Sequence, residues 1–258
     1  MAARIPSLTP PATSATPVPD ELELRRDLAA LYRIVALFGW DDLLATHISV
    51  RLPGPGHRFL INPLGLLFDE ITATSLVKVD MDGRVLEDRP VLINPAGFTI
   101  HSAVHGARED ARCVIHLHTV AGTAVASQKQ GLLPLNQTSM LFNGRLAYHD
   151  YEGIALDLDE RERLVRDLGD KSAMLLRNHG TLAVGTSVAD AFQTMYYLER
   201  SCAMQVAAQS GDVELVFPGS SVQDLVARQS ASFGDIADRL LWPAMLRRLD
   251  RIDTSYRD

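Results

Sequence analysis

Between residues 21 and 211 short β-rich stretches are interleaved with helical ones, and that alternation leaves few folds open. ELELRRDLAALYRIVALFGW places Leu22, Leu28, Leu31, Tyr32, Val35 and Leu37 at helical spacing, with Gly39 as a stop. HISVRL and HRFLIN read as strands joined through PGPG, and SLVKVDMDGRVLED reads as a strand, a D-G turn and a second strand. FTIHSAVHGARE is helical, RCVIHLHT is a strand, and VAGTAVASQKQG is a small-residue helix closing at Gly131. DERERLVRDLG gives an amphipathic helix, SAMLLRNHG a strand running into a loop, and TLAVG a short strand. The long helix SVADAFQTMYYLERSCAMQVAAQSG opens at an N-cap serine, Ser187, and stops at Gly211. Such mixing predicts a layered α/β domain, and the hairpin signals exclude a purely parallel sheet.

Length and composition add bounds. The 258 residues suffice for one large domain or two small ones, and 47% hydrophobic residues can supply a substantial core. Residues 1–20 hold five prolines and read as a flexible arm, 21–211 as one domain, and 212–258 as a helical extension packed on it. A net charge of −7 without a basic run speaks against nucleic acid as a partner. No apolar run approaches the roughly 20 residues of a membrane span, and the N-terminus lacks the apolar core of a signal peptide. Two cysteines, Cys113 and Cys202, fit a reducing cytoplasm. The expectation is therefore a cytoplasmic protein.

The chemistry centres on VIHLHT. Strand side chains alternate, so His116 and His118 share one face while Ile115 and Leu117 share the other. Two such imidazoles can converge on one metal ion, although an H-x-H pair also serves as ordinary hydrogen-bonded polar surface. A third ligand candidate is His179 in LLRNHGTLAVG, where an apolar strand meets a glycine. Three histidines with an open fourth position describe a catalytic zinc-type site, and three imidazoles also accept manganese or iron. His101 and His105 stand four apart on a helical stretch; His101 reads as a pocket residue and His105 as structural. His47, at the start of a strand, can face the pocket. His149, in AYHDYEG, reads as polar surface or interface in a loop-like stretch, and His57 as exposed.

These residues carry a family resemblance. ATHISVR, FLINPLGLLFDEITATSLVKVD, NPAGFTIHSAVHGAREDARCVIHLHTVAGTAVA, AYHDYEGI and LLRNHGTLAVG together resemble the class II aldolase/adducin family, several of them most closely the adducin head domain. The resemblance implies an α/β/α sandwich around a mixed, largely antiparallel sheet. It also implies a homotetramer with active sites at subunit interfaces, and a divalent metal, usually zinc, held by His116, His118 and His179.

Departures from the family pattern narrow the chemistry. The sugar-phosphate aldolases carry Ser-Ser-Glu before the helix histidine, the serines for phosphate and the glutamate as acid/base. Here those positions are Pro95, Ala96 and Gly97. A phosphate-binding asparagine aligns with His47, and the tyrosine lent by a neighbouring subunit falls near Thr138. The resemblance then implies a metal-dependent carbon–carbon lyase on a small non-phosphorylated oxo, hydroxy or aromatic acid, with decarboxylation ahead of aldol cleavage. His47, His101 and Tyr148 are the candidates for substrate contacts or proton transfer, and Glu70 is the nearest acidic one. Schiff-base chemistry would need one of only three lysines, Lys78, Lys129 or Lys171. The competing reading is a non-catalytic, adducin-head-like interaction module.

Overall fold

A computed structural model of the chain describes residues 19–211, 213–230 and 236–258, so the expected arm at 1–20 lies outside the described residues except for Pro19 and Asp20. The first helix, α1 (Glu21–Leu37), starts at a reciprocal cap. Glu23 N donates to Asp20 Oδ1 at 2.8 Å while Asp20 N donates to Glu23 Oε2 at 3.2 Å. Its buried face holds Leu28, Leu31, Tyr32 and Val35 of the predicted set, while Leu22 and Leu37, near its two ends, are exposed. Among the described residues seven strands follow: β1 (His47–Arg51), β2 (Phe59–Ile61), β3 (Val77–Val79), β4 (Cys113–Leu117), β5 (Leu146–His149), β6 (Ala173–Leu176) and β7 (Gly180–Gly185). They form one sheet in the order β3-β2-β1-β4-β7-β6-β5. Among the described residues only β5 and β6 pair in parallel, so the sheet is mixed and mostly antiparallel as expected.

Helices cover both faces, completing three layers. On one side α1, α3 (Val120–Ala126) and α6 (Val188–Gln209) pack on Ile48, Ile115, Leu117, Leu175 and Ala183. On the other, α2 (Pro95–Ala107) and α5 (Glu160–Leu168) pack on Val114, Met174, Leu182 and Val184. A short α4 (Gln137–Met140) precedes β5. Beyond α7 (Ser220–Ser230), a last helix, Trp242–Asp250, leans on α1, where Trp242 Nε1 donates to Asp27 Oδ1 at 2.9 Å. No helix among the described residues is long and apolar enough to cross a membrane. Cys113 and Cys202 are both unpaired and buried, and burial pushes both thiols above their ordinary range.

Four local expectations change. The D-G hairpin shrinks to a single bridge, Val79 with Val85: Val85 packs on the cluster around Phe59 and Val79, while Leu86 is left exposed. LAYH is strand β5 rather than part of a loop; Ala147 points into the core while its polar neighbours mask the alternation. Helix α3 ends at Ala126, five residues before Gly131. Helix α2 opens earlier than FTIH, at Pro95, with Asn94 as its cap accepting from Ala96 N at 3.0 Å.

Candidate metal centre

Three imidazoles meet at one end of the central strands. The ligand atoms of His116, His118 and His179 all lie within 4.8 Å of one another. His116 is the last sheet-facing side chain of β4, and His118 follows just past the strand end. His179 comes from the tight β6–β7 turn, where Asn178 takes the left-handed conformation at φ 57°. Gly180 allows that turn to close on β4: a Cβ there would collide with the Leu117 carbonyl and stand 2.9 Å from His118 Cδ2.

On two of these rings the hydrogen is already committed. His116 Nδ1 donates to the Thr181 carbonyl at 3.0 Å, and His118 Nδ1 donates to Asp42 Oδ2 at 3.1 Å. In neutral rings the two Nε2 atoms are then bare, and they face each other at 3.0 Å. Two lone pairs at that distance repel unless a cation lies between them. Zinc–nitrogen bonds of about 2.0–2.1 Å in a tetrahedron put ligand nitrogens roughly 3.3 Å apart, so the donor set fits a divalent metal. Burial lowers the His116 pKa well below its ordinary value, and that of His179 to about 4, which keeps both rings in the ligating form. Asp42 was invisible in the sequence, since it lies in the loop before β1 and only the fold brings it to His118.

Behind the triad lies a second, fully buried set. His47 sits on β1 directly opposite His116 on β4, with ring centroids 5.0 Å apart. Its Nδ1 is 2.8 Å from His101 Nε2. His101 Nδ1 bonds Ser49 Oγ, which is also 2.7 Å from His105 Nε2, and His105 Nδ1 is 3.0 Å from the Ala111 carbonyl. Thus His47 lies beside the triad, His101 is fully buried one ring further back, and His105 belongs to the same network.

Other candidates fall elsewhere. Tyr148 is not brought to the triad: its hydroxyl accepts from Leu132 N at 3.2 Å, and Arg177 stacks 4.3 Å over its ring, both on the α6 side. Tyr151 stands nearer, 6.2 Å from the His179 ring centroid, and is half exposed. Glu70 is exposed and accepts from Leu67 N at 2.8 Å, as a turn residue does. Lys78 is held by Glu21 at 2.6 Å, which removes it as a reactive amine. His149 is buried rather than on the surface, with Nδ1 donating to Asp167 Oδ2 at 2.7 Å. His57 is exposed, as expected, 2.8 Å from Arg51 Nη1.

Known proteins share this arrangement of elements. The profile described as Class II Aldolase and Adducin N-terminal domain matches residues 26–206. A Caulobacter vibrioides protein, provisionally named as a class 2 aldolase, is 56% identical over 92% of this chain and 93% of its own. Rat alpha-adducin is 46% identical over 71% of this chain, a match spanning 25% of adducin. Among solved structures, an aldolase II superfamily protein from Pseudomonas syringae is 54% identical with a TM-score of 0.88, covering 93% of this chain and 97% of that one. L-fuculose 1-phosphate aldolase from Glaciozyma antarctica is 28% identical with a TM-score of 0.81, covering 96% and 97%. By the extent of these matches, the chain belongs to the class II aldolase and adducin N-terminal domain family.

Proposed function

We propose that the protein holds one divalent metal ion, zinc ahead of manganese or iron, through His116, His118 and His179. With it, the chain acts as a carbon–carbon lyase on a small oxo or hydroxy acid that carries no phosphate. The observation that carries this reading is the pair of bare Nε2 atoms 3.0 Å apart with both ring hydrogens spent elsewhere. A scaffold has no use for such a pair. The ion would supply Lewis acidity toward the oxygens of the acid. His47 stands at the buried side of the site with His101 behind it, and Tyr151, in place of Tyr148, offers a phenol at its open side. The start of α2 suits an uncharged group better than a phosphate, because Asn94 already takes the Ala96 and Gly97 amides.

Protein purified without added metal is expected to carry close to one equivalent per chain by elemental analysis. It should cleave or decarboxylate members of a panel of hydroxy and oxo acids in preference to sugar phosphates. Metal content below a tenth of an equivalent, even after reloading with zinc, manganese and iron, would sink the reading. It would favour the non-catalytic alternative, an interaction module, which draws support from the 46% identity to alpha-adducin. Asp42→Asn is expected to weaken metal affinity by about 10–100-fold in a chelator competition, since the carboxylate fixes the tautomer of His118. A homotetramer is the expected assembly. Val120 is 89% and Leu43 71% exposed beside His118 and Asp42, which suits burial by a second copy, and light scattering giving a monomer would refute it.

A further inference from the structure

The four side chains behind the triad are joined end to end, and the direction of every bond in the row is fixed. It starts at the Ala111 carbonyl, which can only accept, so His105 Nδ1 carries the hydrogen of its bond. Among the described residues no carboxylate is bonded to His105, His101 or His47, and all three are at most 1% exposed, so the rings are neutral. Burial accordingly lowers all three far from the ordinary imidazole value, with further lowering from Arg51 at His105 and from neighbouring histidines at the other two. A neutral His105 has a bare Nε2, so the one hydrogen of Ser49 points to it. The Ser49 oxygen must then accept from His101 Nδ1. That leaves His101 Nε2 bare, and His47 Nδ1 must donate to it. One hydrogen placement satisfies every link, and it ends with His47 Nε2 as a lone pair with no hydrogen of its own.

That lone pair is on the side of the ring away from His101 and beside Gly97: a side-chain Cβ at 97 would stand 3.0 Å from it and 2.5 Å from His47 Cδ2. His47 thus occupies the space that a side chain at 97 would enter, one strand over from His116.

We propose that the row Ala111–His105–Ser49–His101–His47 is a directional hydrogen-bond relay that holds His47 in its Nδ1–H form and presents Nε2 as an acceptor for a hydroxyl group of the bound small molecule. It rests on the metal reading above and sharpens it. A pure acceptor beside a metal centre selects an α-hydroxy acid or α-hydroxy carbonyl compound over its keto counterpart, since a keto oxygen brings no hydrogen to it. His47 is the residue that touches the ligand. Ser49, His101 and His105 are positioning residues that act through it.

The test has two parts. First, ¹⁵N NMR of the full-length, metal-free chain reads the tautomers directly: Nδ1–H is expected for His47, His101 and His105, and an Nε2–H signal for His47 overturns the relay. Second, the zinc-loaded protein is titrated with glycolohydroxamate and acetohydroxamate, which chelate alike and differ by one hydroxyl group. Wild type is expected to favour glycolohydroxamate by about tenfold, the size of one well-made buried hydrogen bond. The preference should collapse toward unity in His47→Ala and shrink in Ser49→Ala, which leaves the ligand side of His47 untouched. Acetohydroxamate affinity should stay constant throughout, showing that the metal site is intact. Preference retained in His47→Ala overturns the acceptor role. Failure of either hydroxamate to bind zinc-loaded wild type overturns the metal reading and the acceptor role together, while the NMR result judges the relay by itself.

Discussion

Urea is expected to unfold the metal-free protein at a clearly lower concentration at pH 5 than at pH 7.5. His101 and His105 are buried without a counter-ion, and His105 is lowered to about 3. In the unfolded chain both return to the ordinary value near 6.5. Below pH 6.5 the unfolded state therefore takes up protons that the folded state refuses, and stability falls as the pH falls toward the folded value. For His105 the loss by pH 5 is about 2 kcal/mol, and His101 adds to it in the same direction, against a total stability of roughly 5–15 kcal/mol. Asp27 and Glu199 oppose the trend, because burial raises both and protonation favours their folded form. The two imidazoles, both at most 1% exposed, are expected to outweigh these carboxyls between pH 6.5 and 5. His105→Gln should narrow the difference between the two midpoints. Equal midpoints in the wild type would show that the buried rings accept protons without unfolding.

Gly97→Ala is expected to destabilise the protein by about 1–3 kcal/mol, the usual range for an overpacked core, and Gly97→Glu by enough to prevent folding. The added Cβ would meet His47 Cδ2 at 2.5 Å and Cγ at 2.8 Å. His47 cannot retreat, because β1 is fixed between β2 and β4 and the ring is bonded to His101. In a His47→Ala background the penalty of Gly97→Ala should vanish, and a double-mutant cycle in urea would read the coupling. The same penalty in both backgrounds would refute the account. The sequence comparison presents Gly97 as a lost carboxylate; in the fold it is one half of an exchange in which an imidazole from the neighbouring strand takes the space. Adding a glutamate there cannot recreate the sugar-phosphate aldolase arrangement.

What the sequence discloses depends on how local the physics is. Same-face placement of His116 and His118 follows from strand alternation, and helices α1 and α6 follow from apolar spacing, with the Ser187 cap legible and the Asp20 cap not. Strand β5 was hidden because Tyr148 and His149 carry polar atoms whose partners, Leu132 and Asp167, come from other elements. Asp42 and Ser49 were hidden for the same reason. A short polar side chain gives no periodic signal, and its role appears only when the sheet order β1-β4-β7 brings distant segments side by side. His101 and His105 were visible as a pair on one helical turn, while the strand residues that link them into a row were not.

Cys113 on β4 and Cys202 on α6 sit in the same core layer, out of reach of solvent, with thiols that resist ionisation. Only the thiolate attacks a thiol-reactive dye, so the dye labels these side chains only when the central sheet and its covering helix come apart. The rate of labelling by such a dye therefore reports the opening of the whole domain rather than the fraying of its edges. The native chain carries its own clock for global unfolding, readable without any engineered probe.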